Sequence, residues 1–204
     1  PLAQQLLSHL PFALTAAQQR VLQDIYQDLA QPLPMQRLVQ GDVGSGKTVV
    51  AALATIAAVA SGYQAVMMAP TELLAEQHFQ TFNNWLTPLG IQVGWCAGKQ
   101  TAAQRRHSIS ALESGEIKVA VGTHALFQDE VVFANLGLVI IDEQHRFGVH
   151  QRLALRDKGR KQNSYPHQLV MTATPIPRTL ALAGYGDLDI SVLDEKPPGR
   201  QPID

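Results

Sequence analysis

The sequence has few of the features that mark secreted or membrane proteins. A single cysteine, Cys96, in 204 residues excludes an internal disulfide framework, so a reducing, cytoplasmic compartment is expected. The longest apolar run, residues 49–60, is too short to cross a bilayer and predicts a buried helix, and no membrane partner is expected. The N-terminus shows no basic, apolar leader that would indicate a secretory signal.

Charged residues are also scarce, and their signs nearly balance. They make up 16% of the chain against 46% apolar residues, which argues against disorder and predicts a domain with a substantial core. The net charge of −1 gives no support by itself for a nucleic-acid partner. Function must therefore be inferred from motifs and their positions.

Short apolar runs alternate with helical patterns along the chain. Strands are predicted at residues 37–40, 64–69, 91–97, 118–123, 136–143, 167–174 and 189–194. Helices are predicted at residues 15–30, 47–61, 72–86, 101–113, 148–158 and 177–183. Strands that are apolar on both faces indicate an α/β fold, a mostly parallel sheet with helices on both faces. Ligands of such sheets bind beyond the carboxyl ends of the strands.

The two ends of the chain differ in composition from the rest. Residues 1–11 predict a trailing helix and connector from a preceding domain, and residues 12–194 predict a single domain. The Pro- and Gly-rich residues 195–204 predict a linker to a further domain. We therefore expect this chain to be a piece of a longer protein.

The most specific pattern is the segment "GDVGSGKT", residues 41–48, which follows a predicted strand and opens an Ala-rich helix. It fits the phosphate-loop pattern G-x-x-x-x-G-K-[ST]. Its glycines let successive N–H groups face a polyphosphate, and the helix N-terminus adds partial positive charge. The predicted nucleotide contacts are Gly41, Asp42, Val43, Gly44, Ser45, Gly46, Lys47 and Thr48. Lys47 would reach the outer phosphates, and the Thr48 hydroxyl would ligate Mg²⁺.

Two adjacent carboxylates, Asp142 and Glu143, end the apolar run "LGLVIIDE". Neighbouring anions repel each other unless a cation offsets them. With a phosphate loop upstream, Asp142 is predicted to hold the Mg²⁺ and Glu143 to polarise a water that attacks the γ-phosphate. The predicted chemistry is phosphoryl transfer to water.

Four further clusters narrow the class of protein: "FALTAAQ" (12–18), "APTELLAEQ" (69–77), "GTHALF" (122–127) and "TATPIPRT" (172–179). Together with "DEQH" (142–145), their order and spacing resemble the first RecA-like P-loop NTPase motor domain of superfamily 2 helicases. More narrowly, "PTELLAEQH", "DEQHRFGVHQR" and "TATPIPRT" resemble the RecG-type branch-migration helicases of bacteria. The transcription-repair coupling translocase is similar but typically has Glu where Gln144 stands, and it remains the alternative.

The resemblance implies ATP and Mg²⁺ as cofactors and assigns roles by position. Gln18 matches the glutamine that reads the adenine edge, and Phe12 either stacks on the base or belongs to the core. The positions that match residues coupling the nucleotide site to DNA are Gln144, His145, Thr172, Ala173 and Thr174. The positions that match the DNA-facing surface, which contacts phosphates without reading sequence, are Pro70, Thr71, Thr123 and His124. Taken singly, these threonines are ordinary caps of strand and helix ends.

The resemblance also implies a function. It is ATP-driven translocation on duplex DNA with remodelling of branched DNA, including fork reversal and Holliday junction branch migration in recombination and repair. Such motors hydrolyse ATP between two motor domains, and the second supplies an arginine finger. This sequence has no "QxxGRxGR"-like segment, so the isolated chain is expected to turn over little ATP. A DNA-wedge domain is a further expected partner. Other interpretations are a non-motor P-loop enzyme, such as a small-molecule kinase, and a structural nucleotide switch.

Overall fold

The structure is a computed structural model that describes residues 2–10, 13–31, 33–41, 46–97, 100–127, 130–142, 166–172 and 189–193. These ranges contain seven β-strands. They are β1 (Gln36–Gly41), β2 (Gln64–Met68), β3 (Val93–Cys96), β4 (Val119–Gly122), β5 (Leu136–Asp142), β6 (His167–Thr172) and β7 (Asp189–Leu193). Each coincides with a strand predicted from the sequence, so all seven predictions are confirmed.

The same ranges contain five α-helices. They are α1 (Leu2–His9), α2 (Ala16–Leu29), α3 (Lys47–Ala60), α4 (Glu72–Leu86) and α5 (Ala102–Ser114). Two 3₁₀ turns span Thr87–Leu89 and His124–Phe127. The helices predicted at 15–30, 47–61, 72–86 and 101–113 are confirmed, whereas those predicted at 148–158 and 177–183 lie outside the described residues. Among the helices described, none is long and apolar enough to cross a membrane.

Threonine hydroxyls fix the starts of three helices. Thr15, Thr71 and Thr101 are the N-caps of α2, α4 and α5, and each hydroxyl accepts a hydrogen bond from the N–H three residues on. Such a cap satisfies a backbone donor that the helix itself cannot pair. At α2 and α5 a glutamine side chain completes a capping box by accepting a hydrogen bond from the N-cap N–H.

The described strands form one sheet in the order β3-β4-β2-β5-β6-β1-β7, and every pairing is parallel. Parallel strands need a long crossover between them, and α3, α4 and α5 supply those from β1 to β2, from β2 to β3 and from β3 to β4. Because the strands point the same way, their carboxyl ends share one edge of the sheet, here called the carboxyl edge. Across β1, β6 and β5, the residues Val39, Met171 and Asp142 lie in one register level.

Two apolar layers cover the two faces of the sheet. The first packs α2, α3 and α4 on one face and includes Ile25, Leu53 and Phe82, all 1% exposed or less. The second packs α5 and the segment before β5 on the other face and includes Leu112 and Phe133. Burial of each such side chain stabilises the fold by roughly 1.5–3 kcal/mol.

The alternation of side chains along β5 decides which layer Asp142 faces. Leu138 and Ile140 both belong to the first layer, and Asp142 continues their alternation along the strand. The Asp142 carboxylate therefore lies on the face that α3 and α4 cover. Helix α1 buries Leu6 in this same layer, while its assignment to a preceding domain stays a prediction.

Candidate nucleotide-binding site

The predicted phosphate loop connects the end of β1 at Gly41 to the start of α3 at Lys47. Gly46, the N-cap of α3, has φ +84°, a left-handed backbone conformation that side chains other than glycine rarely adopt. The four intervening predicted contacts lie outside the described residues: Asp42, Val43, Gly44 and Ser45. The described ends thus match the strand–loop–helix setting in which this motif binds phosphates.

Lys47 joins the two ends of this loop. Its ammonium donates a hydrogen bond to the Gly41 carbonyl oxygen at 2.7 Å. An ammonium carries three N–H donors, so this bond is compatible with additional bonds to phosphate oxygens. Thr48 follows in the first turn of α3 and is partly buried.

Gln18 lies against the start of α3, although the two residues are far apart in sequence. In the capping box of α2, its Oε1 accepts a hydrogen bond from the Thr15 N–H at 2.9 Å. Its Nε2 donates to the Gly46 carbonyl oxygen at 3.5 Å, and the side chain is buried. This predicted adenine contact therefore touches the phosphate loop, while Phe12 lies outside the described residues.

Asp142 ends β5 at the carboxyl edge, with only β6 between it and β1. Neighbouring strands lie about 4.8 Å apart, which puts Asp142 about 10 Å along the edge from β1. Its Oδ2 atom lies 2.6 Å from Nε2 of His78 in α4, a residue that the sequence analysis did not single out. Glu143, Gln144 and His145 lie outside the described residues.

The predicted DNA-facing residues follow two neighbouring strands, β2 and β4. Pro70 and Thr71 come after β2, while Thr123 and His124 come after β4, and the Ala69 N–H donates to the Gly122 carbonyl at 3.0 Å. The structure thus brings all four together at the carboxyl edge. The Thr71 hydroxyl caps α4, and Thr123 is buried, whereas His124 is exposed.

The last predicted group is only partly described. Thr172 ends β6, is buried and pairs in register with Gln40 of β1, while Ala173 and Thr174 lie outside the described residues. The carboxyl edge therefore has two neighbouring parts. Strands β1, β6 and β5 carry the predicted nucleotide residues, and strands β2 and β4 carry the predicted DNA-facing residues.

Comparison with known proteins identifies the class to which this fold and site belong. Residues 15–183 match the DEAD/DEAH box helicase family, and the chain belongs to that family. It is 62% identical over 202 residues to the ATP-dependent DNA helicase RecG of Escherichia coli (strain K12), covering 99% of the chain and 29% of the relative. It is 61% identical over 202 residues to the ATP-dependent DNA helicase RecG of Pasteurella multocida (strain Pm70), with the same coverage. The chain thus spans less than a third of these relatives.

Solved structures agree with this placement. A structure of RecG bound to a three-way DNA junction matches with a TM-score of 0.84 and 47% identity, covering 99% of this chain and 26% of that one. The DUF1998 helicase MrfA bound to DNA, at 20% identity and a TM-score of 0.74, shares the fold. The predicted RecA-like α/β fold and the resemblance to RecG-type helicases are confirmed.

Proposed function

We propose that the chain is the ATP-binding motor domain of a DNA helicase that couples ATP hydrolysis to translocation on duplex DNA and to remodelling of branched DNA. The observation that carries this proposal is that Lys47, at the end of the loop after β1, and Asp142, at the end of β5, both lie at the carboxyl edge, with only β6 between these two strands. It is supported by relatives named ATP-dependent DNA helicase RecG and by the RecG structure on a three-way junction. Those relatives are bacterial, which supports the cytoplasmic location expected from the sequence.

ATP binding is assigned to the loop between β1 and α3. Lys47 and the N–H groups at the start of α3 bind the outer phosphates. Gln18 contacts the adenine edge, a role that its position beside Gly46 supports. Its amide offers a donor and an acceptor, which is what recognition of an adenine edge requires.

The oxygen donors at the site suit a hard cation. The Thr48 hydroxyl of α3 and the Asp142 carboxylate are ligand types that Mg²⁺ prefers, and Asp142 lies on the sheet face that α3 covers. Within the described ranges, no group of three or more His, Cys, Asp or Glu side chains could hold a metal by itself. Protein sites hold Mg²⁺ with one or two carboxylates plus substrate phosphates. When bound, the ion neutralises charge on the β- and γ-phosphates.

Hydrolysis and its coupling to DNA are assigned to the residues that follow the strands. Glu143, next to Asp142, orients the attacking water. Gln144, His145 and the segment Thr172–Thr174 relay the nucleotide state to the DNA-facing residues after β2 and β4. We infer that a second motor domain supplies an arginine finger and that a wedge domain engages the branched DNA. The greater length of the relatives supports both inferences.

The test uses the full-length protein and its ATPase on forked and linear duplexes. Lys47→Ala is expected to weaken ATP binding by about tenfold or more, because a charge-assisted contact to phosphate is lost. Glu143→Gln is expected to keep ATP binding and to abolish hydrolysis. Lys118→Ala and Glu113→Gln are matched controls, since both residues are exposed and lie away from the carboxyl edge. Normal hydrolysis by Glu143→Gln, or no stimulation by forked DNA, would contradict the proposal.

The isolated chain supplies a second comparison. Because the second motor domain is inferred to complete the site, ATP turnover by residues 1–204 alone is expected to be nearly absent. DNA-stimulated turnover equal to that of the full-length protein would show that the second motor domain is not needed to complete the site.

A further inference from the structure

His78 makes a buried contact that no predicted motif role explains. Its Nε2 atom lies 2.6 Å from Oδ2 of Asp142, and the side chains are only 12% and 10% exposed. The two residues are 64 positions apart in the chain. A polar contact at this depth stabilises only if both groups are paired, so the pairing is specific.

The chemistry of the pair sets the direction of the hydrogen bond. An ionised carboxylate only accepts hydrogen bonds, so the Nε2–H group of His78 is the donor and Oδ2 of Asp142 is the acceptor. A carboxylate has two oxygens with about four acceptor positions between them. Engaging Oδ2 therefore turns Oδ1 toward a fixed direction without using it.

Helix α4 places the imidazole between two buried side chains. His78 shares a helical face with Ala75, three residues before it, and Phe82, four residues after it, and both are 0% exposed. The histidine thus belongs to the buried stripe that packs α4 on the sheet, with an apolar anchor about one turn away on each side. A side chain so anchored fixes the group that it contacts.

We propose that His78 is a positioning residue that orients the Asp142 carboxylate toward the magnesium ion of the bound nucleotide. This inference rests on the proposed function, because it takes Asp142 as a metal ligand. Carboxylates that bind metals are commonly held by such a second hydrogen bond, and loss of that bond lowers metal affinity by about 10–100-fold.

The same helix joins the two parts of the carboxyl edge. Thr71, the N-cap of α4, belongs to the DNA-facing group, and His78 lies about two turns, roughly 10 Å, further along the helix axis. A displacement of α4 by DNA at its start would therefore be felt at Asp142 through His78. Helix α4 thus connects a residue of the proposed DNA surface to the residue that contacts the proposed metal ligand.

The test measures metal affinity directly in the full-length protein. Mn²⁺, followed by electron paramagnetic resonance, replaces Mg²⁺ in the complex with a non-hydrolysable ATP analogue. His78→Ala is expected to weaken Mn²⁺ binding by about tenfold or more, and to change metal-free nucleotide binding by less than about twofold. His107→Ala, an exposed histidine of α5, is the matched control and should match the wild type.

Two conservative variants separate positioning from packing. His78→Gln carries an amide nitrogen at nearly the place of Nε2, so it should restore Mn²⁺ affinity to within about threefold of wild type. His78→Asn is too short to reach Asp142 and should remain as weak as His78→Ala. If the alanine variant does not fold, the comparison of these two decides. Equal wild-type affinity in both would overturn the inference.

Asp142→Asn distinguishes a failure of the positioning role from a failure of the proposed metal site. If this variant keeps wild-type Mn²⁺ affinity, Asp142 is not a ligand and the proposed site itself is wrong. If it loses Mn²⁺ binding while His78→Ala and His78→Asn do not, the positioning role alone is wrong and the proposed function stands.

Discussion

The Nε2 atom of Gln18 occupies the space that a side chain at Gly46 would need. A Cβ atom built on Gly46 would lie 1.9 Å from that nitrogen, well inside van der Waals contact. Two features therefore favour glycine at position 46: its φ of +84° and the close approach of the Gln18 side chain. The start of α3 and the start of α2 are fitted to each other at this point.

Gly46→Ala is therefore expected to strain the backbone by about 1 kcal/mol and also to displace Gln18. Both effects disturb the phosphate loop, so binding of a fluorescent ATP analogue should fall by about tenfold or more. Binding titrations together with urea unfolding would measure the two effects.

Gly62→Ala is the matched control for this glycine. Gly62 also has a left-handed backbone, φ +90°, but nothing lies within 4 Å of a Cβ built there. The Gly62→Ala variant should lose stability as Gly46→Ala does, but it should bind the ATP analogue as tightly as the wild type. Equal binding losses in both variants would mean that the Gln18 contact is unimportant.

Gln18→Glu tests adenine recognition while keeping the helix cap. A glutamate can still accept the hydrogen bond from the Thr15 N–H, as in other capping boxes, but it has no amide donor. ATP affinity is expected to fall by about tenfold, with a smaller change for GTP, because only adenine loses a matched partner. Competition binding with both nucleotides would measure this.

The second capping box of the chain supplies the control. Gln104→Glu makes the same exchange at the start of α5. There the Gln104 side chain accepts a hydrogen bond from the N–H of the N-cap Thr101, and both residues are exposed. It should leave both nucleotide affinities unchanged. A parallel loss of ATP and GTP binding in Gln18→Glu would argue against adenine recognition by this residue.

Arg37 of β1 ties α2 to strands β1 and β7 of the sheet. Its guanidinium donates to Asp28 at 2.5 Å and to the Ser191 hydroxyl at 2.7 Å, and Ser191 donates in turn to Asp24 at 3.0 Å. Burial by itself lowers the pKa of Arg37, but the hydrogen bond and charge of Asp28, together with the charges of Asp24 and Asp189, raise the pKa overall.

Arg37→Met is expected to lower the free energy of unfolding by about 2 kcal/mol, because it leaves a partly buried Asp28 without its cation. Arg105→Met, which breaks a more exposed pair with Glu130, should cost less than about 1 kcal/mol. Urea unfolding of both variants measures the difference. An equal loss in the two would contradict the role given to burial.

His167 should make the fold sensitive to acid. Its Nδ1 accepts a hydrogen bond from the Met35 N–H at 2.7 Å, and burial lowers its pKa from 6.5, against a smaller opposing effect of Asp28. The unfolded chain therefore binds a proton more readily than the folded one. Stability present above pH 6.5 should fall as the pH drops through the lowered pKa.

His167→Asn isolates this effect. The asparagine carbonyl can accept from the Met35 N–H near the place of Nδ1, and it does not titrate. Urea unfolding between about pH 7 and pH 5 should therefore show a flatter dependence in the variant than in the wild type. An identical slope would show that another group dominates acid sensitivity.

Local patterns were sufficient to predict the strands but not their arrangement. β5 is continuously apolar because both of its faces are buried, and this run is visible in the sequence. The position of β2 between β4 and β5 leaves no local signal, since pairing depends on contacts between distant segments. The strand predicted at 91–97 begins at Val93, because the Ile91 N–H instead bonds the Leu86 carbonyl.

In the candidate site, too, local sequence patterns were predictable and contacts between distant segments were not. Gly41, Gly46 and Lys47 were predictable because the phosphate loop is contiguous in sequence. The contact of His78 with Asp142 was not, because a histidine in a helical pattern looks like any other half-buried polar residue. Gln64, which lies away from the site, has a structural role that the sequence did not predict either. It is buried at the start of β2, and its amide donates to the Leu112 and Ile117 carbonyls.

The common direction of the strands has a practical benefit for optical work on this domain. The amino-terminal rim, where Ser61 and Tyr63 are exposed between α3 and β2, lies at the other end of the strands from the predicted contacts that follow β1, β2, β4 and β5 among the described residues. The sole native thiol, Cys96, is buried. A cysteine introduced at Ser61 could therefore be labelled selectively with a dye. The dye would report on movement of the domain without contacting the candidate site.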